Sequence, residues 1–170
     1  MNEHLKEHKI CWSVNKELLT TYRDGSHTEE WTDGTLVWRK NGIRHREGDL
    51  PAVIYADGSP EWYENGLTHR DGDKPAYINV DGTLIWYKNG EQHRDGDRPA
   101  FIGINGVLVW YKNDKCHRAC GPAVIRPNLS YEYWINGVNI TTEVEAWLKT
   151  REYKVPSTPE QQVEFSLTFG

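Results

Sequence analysis

Apolar and polar positions alternate along residues 33–140 in short bursts, and each burst is cut off by a pair of turn residues. Asp81-Gly82 precedes Thr83-Leu84-Ile85-Trp86-Tyr87-Lys88, and Asn89-Gly90 follows. Asp-Gly and Asn-Gly tolerate positive φ at both central positions, as type I′ hairpin turns require. The residues between them are β-branched, aliphatic or aromatic, so the pattern predicts a strand over Thr83–Lys88. A second strand is predicted from Pro99-Ala100 through Phe101-Ile102, because proline lacks an N–H and suits the first position of a strand. Each unit is thus a strand pair, and the whole is predicted to be mainly β: an antiparallel meander of hairpin repeats.

The unit recurs. Trp38, Trp62, Trp86 and Trp110 stand 24 residues apart, and the fifth aromatic pair, Tyr133-Trp134, comes one residue early. His45-Arg46, His69-Arg70, His93-Arg94 and His117-Arg118 follow the same interval, as do Pro51-Ala52, Pro75-Ala76, Pro99-Ala100 and Pro122-Ala123. A fixed period of this size marks a stacked array rather than a fold with one singular pocket. Three segments are expected: residues 1–32 with a degenerate capping unit (Tyr22-Arg23-Asp24-Gly25), the array over 33–140, and a carboxyl-terminal cap over 141–170. In the fourth unit, Cys120-Gly121-Pro122 stands where the third has Gly96-Asp97-Arg98-Pro99, one residue more.

Within the strands, one face carries Leu36, Leu84 and Leu108 with the tryptophans, the Pro-Ala alanines, and Ile54, Ile78, Ile102 and Ile125. That face is the expected core, since an invariant tryptophan buries a large area. The other face carries Val37, Glu61, Ile85 and Val109, with Arg39, Tyr63, Tyr87 and Tyr111, and is expected to be wetter. In the cap, Thr142-Glu143-Val144-Glu145 reads as a capping box opening a helix that Pro156 breaks. Thr158-Pro159-Glu160-Gln161 reads as a second helix start, although the alternation of Val163, Phe165, Leu167 and Phe169 also fits a terminal strand.

Composition narrows the function classes. The chain has 170 residues, 37% of them apolar, and a formal net charge of −5, which argues against a nucleic-acid partner. No apolar run approaches the roughly 20 residues of a membrane span, and no signal-peptide core opens the chain. Membrane association is therefore not expected, and the location expected is the cytoplasm, or the host cytoplasm if the chain is viral. Cys11, Cys116 and Cys120 read as free thiols of a reducing compartment. Cys116-His117-x-x-Cys120 is one candidate zinc cluster but lacks a fourth ligand, and His4 and His8 read as part of a solvated stretch.

The string Trp-Tyr-x-Asn-Gly-x-x-His-Arg-x-Gly-Asp resembles a variant of the MORN repeat, with Trp86, Asn89-Gly90, His93 and Gly96 in the matching places. His69-Arg70-Asp71-Gly72 with Pro75-Ala76, and its copy one repeat on, resemble divergent repeats of this kind from phages and giant viruses. The likeness spans residues 33–140. Arginine replaces the glycine that normally follows the histidine, and an Asp-x-Pro-Ala segment is inserted. The resemblance implies scaffolding, dimerisation, and membrane or lipid association; the departures and the acidic balance put the last in doubt.

The candidate binding residues form two stripes: His45, His69, His93 and His117 with Arg46, Arg70, Arg94 and Arg118, and the tyrosines Tyr63, Tyr87 and Tyr111. The His-Arg ladder either braces the Asp-Gly-Asp turns of its own or the next repeat, or presents a multivalent stripe to a partner. The tyrosines either pack on one another or form a protein contact. Two strands per repeat at about 4.8 Å each put copies roughly 10 Å apart, too far for histidines of different copies to share a metal. No catalytic residue, cofactor or metal is therefore expected. The leading expectation is a non-enzymatic protein-binding or scaffolding module, its partner a host protein or a second copy. A rival is a phage-encoded inhibitor of host defence that blocks a defence protein or sequesters a phosphorylated signal. A third is a hydrolase using a His-Asp pair in the irregular fourth repeat or at the cap, with Asp114, Cys116 and His117 as the local irregularities.

Overall fold

The computed structural model describes residues 11–12 and 18–21 (backbone), 26–152 and 154–170. The expected unit at Tyr22–Gly25, the pair His4 and His8, and the thiol of Cys11 lie outside the described residues or side chains. The fold is mainly β. A 13-stranded antiparallel sheet follows chain order from one end to the other, and four separate two-stranded ribbons branch from it.

One repeat explains the rest. Strand Leu84–Ile85 pairs with Tyr77–Ile78 on one side and Phe101–Ile102 on the other. Two residues later the same run leaves the sheet, and Tyr87–Lys88 pairs with Glu91–Gln92 around Asn89-Gly90. Trp86 sits at this elbow. Its N–H donates to the Ala100 carbonyl (2.8 Å), and its own carbonyl accepts the His93 N–H (3.2 Å). The predicted run is thus one chain segment shared between sheet and ribbon. The returning ribbon strand, Glu91–Gln92 here and Lys115–Cys116 in the next copy, is an addition to the expected strand pair.

The two turn types differ. Asn65-Gly66 and Asn89-Gly90 have positive φ at both residues, as a type I′ turn requires. At Asp57-Gly58 and Asp81-Gly82 only the glycine is left-handed. The Gly82 N–H donates to the Asn79 carbonyl (2.8 Å) and the Asn79 N–H to the Thr83 carbonyl (2.8 Å). This is a three-residue loop, a type I turn closed by a left-handed glycine, rather than the two-residue loop expected.

Trp62, Trp86 and Trp110 are buried and the alanines beside them, Ala52, Ala76, Ala100 and Ala123, are fully enclosed. The rest of the expected core is different. Leu36, Leu84, Leu108, Ile54, Ile78, Ile102 and Ile125 are only half-buried, while Val37, Val53 and Val124 of the opposite row are buried. Tyr63, Tyr87 and Tyr111 are half-buried as well. Sheet strands two residues long offer one position to each face, so burial concentrates at the elbow, where sheet and ribbon meet.

Two helices close the array: α1, Thr141–Arg151, and α2, Pro159–Phe169. Helix α2 begins at the expected second start and carries a capping box there, with Thr158 accepting the Gln161 N–H and Pro159 in the first turn. The strand alternative for the tail is overturned. Its alternation is a helix in which Phe165 is fully buried while Val163 and Leu167 face solvent. The capping box expected at Thr142 is also corrected. Ile140 is the N-cap of α1, without a side-chain cap, because its N–H is bound to the Tyr133 carbonyl (2.9 Å) and fixes the entry one residue before Thr141. Tyr133 takes the buried place held by tryptophan in earlier copies, packing with Val144, Leu148 and Phe165. No helix among the described residues is long and apolar enough to cross a membrane.

Candidate functional site

The His-Arg ladder forms a row of clamps between successive repeats. Arg94 lies flat over Trp86, its guanidinium carbon 3.8 Å from the ring centroid. It grips Asp73 of the preceding repeat with Nε (2.8 Å) and Nη2 (3.1 Å), while Nη1 donates to the Pro99 carbonyl (3.1 Å). Arg70 treats Trp62, Asp49 and Pro75 alike, and Arg118 treats Trp110, Asp97 and Pro122 alike. Arg46 covers Trp38 and donates to the Pro51 carbonyl. The indoles join the clamp, since Trp86 Nε1 donates to the Asp73 carbonyl (3.2 Å) and Trp62 Nε1 to that of Asp49 (3.1 Å). Asp49 and Asp73 sit in the left-handed region (φ 57° and 56°), which aspartate tolerates better than most residues.

A planar guanidinium satisfies two carboxylate oxygens at once and stacks on an aromatic face, and lysine does neither. Arginine at the departure from the usual repeat pattern is therefore explained within the fold. Its carboxylate partner belongs to the preceding repeat rather than to its own turn or the next, while Nη1 holds a proline carbonyl of its own repeat.

The histidines bridge the other way. The Asn89 N–H donates to His69 Nδ1 (3.0 Å), and His45 and His117 receive the equivalent N–H of Asn65 (3.3 Å) and Asn136 (3.1 Å). A nitrogen that accepts carries no proton, so neutral His69 holds its proton on Nε2, which faces Asp71 Oδ1 at 3.1 Å. His93 departs from this pattern, its Nδ1 also lying 2.6 Å from Asn113 Oδ1.

The tyrosines line the ribbon side. Arg44 Nη1 donates to the Tyr63 hydroxyl (2.9 Å) and Gln92 Nε2 to that of Tyr87 (3.2 Å). Burial, with Cys116 nearby, pushes the Tyr111 phenol upward. Cys116 and Cys120 are free thiols. Burial pushes the Cys116 thiol up to about 12 and raises that of Cys120, so neither is activated as a nucleophile or readied as a thiolate ligand. Among the described residues the group of three donor side chains close enough to share an ion is Glu64, His69 and Asp71, and Cys116-His117-Cys120 does not form one.

Comparison with family models, with curated proteins and with solved structures found no match.

Acid exposes what the clamps contribute. Hydrogen bonds from Arg70 and Lys74 hold Asp49 well below the usual carboxylate range, Arg94 lowers Asp73, and Arg118 lowers Asp97. A carboxyl lowered in the folded state stabilises it above the unfolded value, and that contribution disappears as pH falls through the folded one. His117 is lowered by burial and then by Lys112, so its contribution is present above its ordinary value of 6.5 and is lost below it. The urea midpoint is therefore expected to slip slightly between about pH 7 and pH 5.5 and to drop steeply below about pH 4. His117→Gln should flatten the first part and Asp73→Asn the second. A midpoint for Asp73→Asn with the wild-type slope below pH 4 would refute this assignment.

Proposed function

We propose that the chain is a non-enzymatic protein-binding module, a cytoplasmic scaffold or adaptor, and that the apolar face of its sheet is the binding surface. One observation carries this. From Leu36 through Ile54, Ile78, Leu84, Ile102 and Leu108 to Ile125, one face of the sheet presents apolar residues that are only half-buried. Hairpin tips extend it with Val80 and Ile104, each 66% exposed, and Leu129, 70% exposed. A contiguous apolar surface of this length is an interaction site far more often than free surface.

The polar ladder supports the same reading. Its arginines and aspartates neutralise one another and repeat without a singular nucleophile or base, which suits a brace rather than a reaction. An extended partner would meet one weak contact per repeat, and these add along the array. The resemblance of the His-Arg-Asp-Gly and Pro-Ala strings to phage and giant-virus repeats makes a host protein the first partner to seek. Inhibition of a host defence system is the matching biological role.

A Val80→Lys, Ile104→Lys double variant tests the surface. Both tips are exposed, so stability should stay within about 0.5 kcal/mol of wild type. Crosslinked capture from cells should lose the partner that wild type retains, or sedimentation should show loss of a self-associated form. Retention of the same partner and the same mass by the variant would remove the sheet face from the proposal.

A further inference from the structure

Three similar grooves lie between consecutive His-Arg loops, and one of them has its charge reversed. Counting Asp, Glu, Arg and Lys, the groove between the second and third repeats, of about 280 Å³, sets three carboxylates against four cations. The groove between the first and second repeats is larger, about 400 Å³, and sets four carboxylates against three cations. The reversal arises from one position, the end of the first ribbon strand. It is lysine in three copies, Lys40, Lys88 and Lys112, and glutamate in the second, Glu64.

The neighbouring groove shows what belongs there. Lys88 places its ammonium 2.7 Å from Asp95 Oδ2, and Asp95 is the counterpart of Asp71. In the first groove Asp71 has lost that ammonium and gained a second carboxylate. His69 Nε2 lies 3.1 Å from Asp71 Oδ1 and 3.7 Å from Glu64 Oε2. The other acids of this groove are occupied, Asp49 by Arg70 and Lys74, and Glu47 by Lys40. Glu64 and Asp71 are therefore two carboxylates beside one imidazole, 49% and 93% exposed, in a recess that the next groove supplies with its own ammonium.

A metal ligated through the His69 nitrogen does not fit this recess. Nitrogen ligation needs a lone pair on His69 Nε2, yet the Asn89 N–H at Nδ1 keeps the proton on Nε2. An ammonium does fit, since it donates to both carboxylates and leaves the imidazole as it is. We propose that the groove between the first and second repeats binds a primary ammonium, the side chain of a lysine on the protein partner, seated between Glu64 and Asp71, so that Asp71 gains the ammonium that Asp95 has in Lys88. This rests on the protein-binding reading and names the chemistry of one contact.

The probe is Nα-acetyl-lysine methylamide, titrated into ¹⁵N-labelled full-length protein at low salt, with Nα-acetyl-norleucine methylamide as the uncharged control. Saturable shifts are expected at the Glu64, His69 and Asp71 amides with the first compound and not the second. Glu64→Lys installs the array's own ammonium and should weaken the response about tenfold or more, while Lys88→Glu should create the same response at His93 and Asp95. Calcium or zinc giving the same shifts together with loss of the Asn89 contact would overturn the ammonium assignment in favour of a metal. Shifts unchanged in Glu64→Lys, or no localised shifts at all, would overturn it outright. The lysine compound tests the groove without any partner, so its failure is distinct from failure of the sheet-face variant.

Discussion

Trp86→Ala should destabilise the fold by about 3–5 kcal/mol, the range for deleting a large buried aromatic. The ring is 6% exposed and stands where the chain passes from sheet to ribbon. Its removal opens a cavity and also removes two further contacts: the Nε1 donor to the Asp73 carbonyl and the surface on which Arg94 lies at 3.8 Å. Arg94 would then hold Asp73 without its platform, so the coupling between the second and third repeats weakens together with the packing. In an array stabilised by nearest-neighbour interfaces, a central break uncouples the two halves. Urea titration followed by far-UV circular dichroism should show a lower midpoint and a shallower slope, the sign that unfolding has ceased to be all-or-none. Trp38→Ala, at a half-buried position, should cost less and leave the slope unchanged. A loss below about 1 kcal/mol for Trp86→Ala would mean the indoles are not what holds the repeats together.

The sequence showed the parts of this fold that depend on one repeat and concealed the parts that depend on two. Tryptophan spacing, the Pro-Ala alanines and the Asn-Gly turns are local signals that recur with few changes, and they identified the hairpin unit and its most buried residues. The return strands Glu91-Gln92 and Lys115-Cys116 escaped because they carry no β-branched or alternating pattern. They are strands only because the Asn-Gly turn folds them back on Tyr87–Lys88 and Tyr111–Lys112. Pairing of arginine with the aspartate 21 residues earlier was equally hidden, since a periodic sequence aligns its copies without saying which neighbour a side chain reaches. Face assignment failed for a related reason. Alternation sorts residues between two faces, but it does not say which face is covered: Val37 and Val53 are buried while Leu84 and Ile102 stay half-exposed. The substitution at Glu64 was visible in the sequence as a break in a lysine column, and its meaning required the Lys88–Asp95 contact of the next copy.

That division bears on function. An array whose polar residues bind each other across every repeat boundary has a stiff spine, and a stiff spine lowers the ordering cost of binding along a face. On the protein-binding reading proposed above, the ladder contributes rigidity, and the contacts proposed fall to the apolar sheet face and to the groove with Glu64 in place of lysine.

Phe165→Ala should destabilise the protein by a similar amount, about 3–5 kcal/mol, but the protein should fail at its end rather than its middle. Phe165 is fully buried, with ring centroids 5.5 Å from Tyr133, 6.1 Å from Trp147 and 5.2 Å from Phe169. It is the contact through which α2 covers the fifth aromatic position, where Thr141 stands in the place of the arginine that covers each earlier tryptophan. Without it the helices should detach, Tyr133 should become accessible, and the last sheet strand, Tyr131–Glu132, should be left as a bare edge open to pairing with another chain. The expected signature is a lower thermal midpoint together with light scattering that rises with protein concentration, whereas Trp86→Ala should unfold without it. Leu167→Ala is the control, because that side chain is 84% exposed and its loss should change stability by no more than about 0.5 kcal/mol. If Phe165→Ala melts where Leu167→Ala does and stays monodisperse, the two helices are an appendage, and the array closes its own end through Tyr133 and the strand before it.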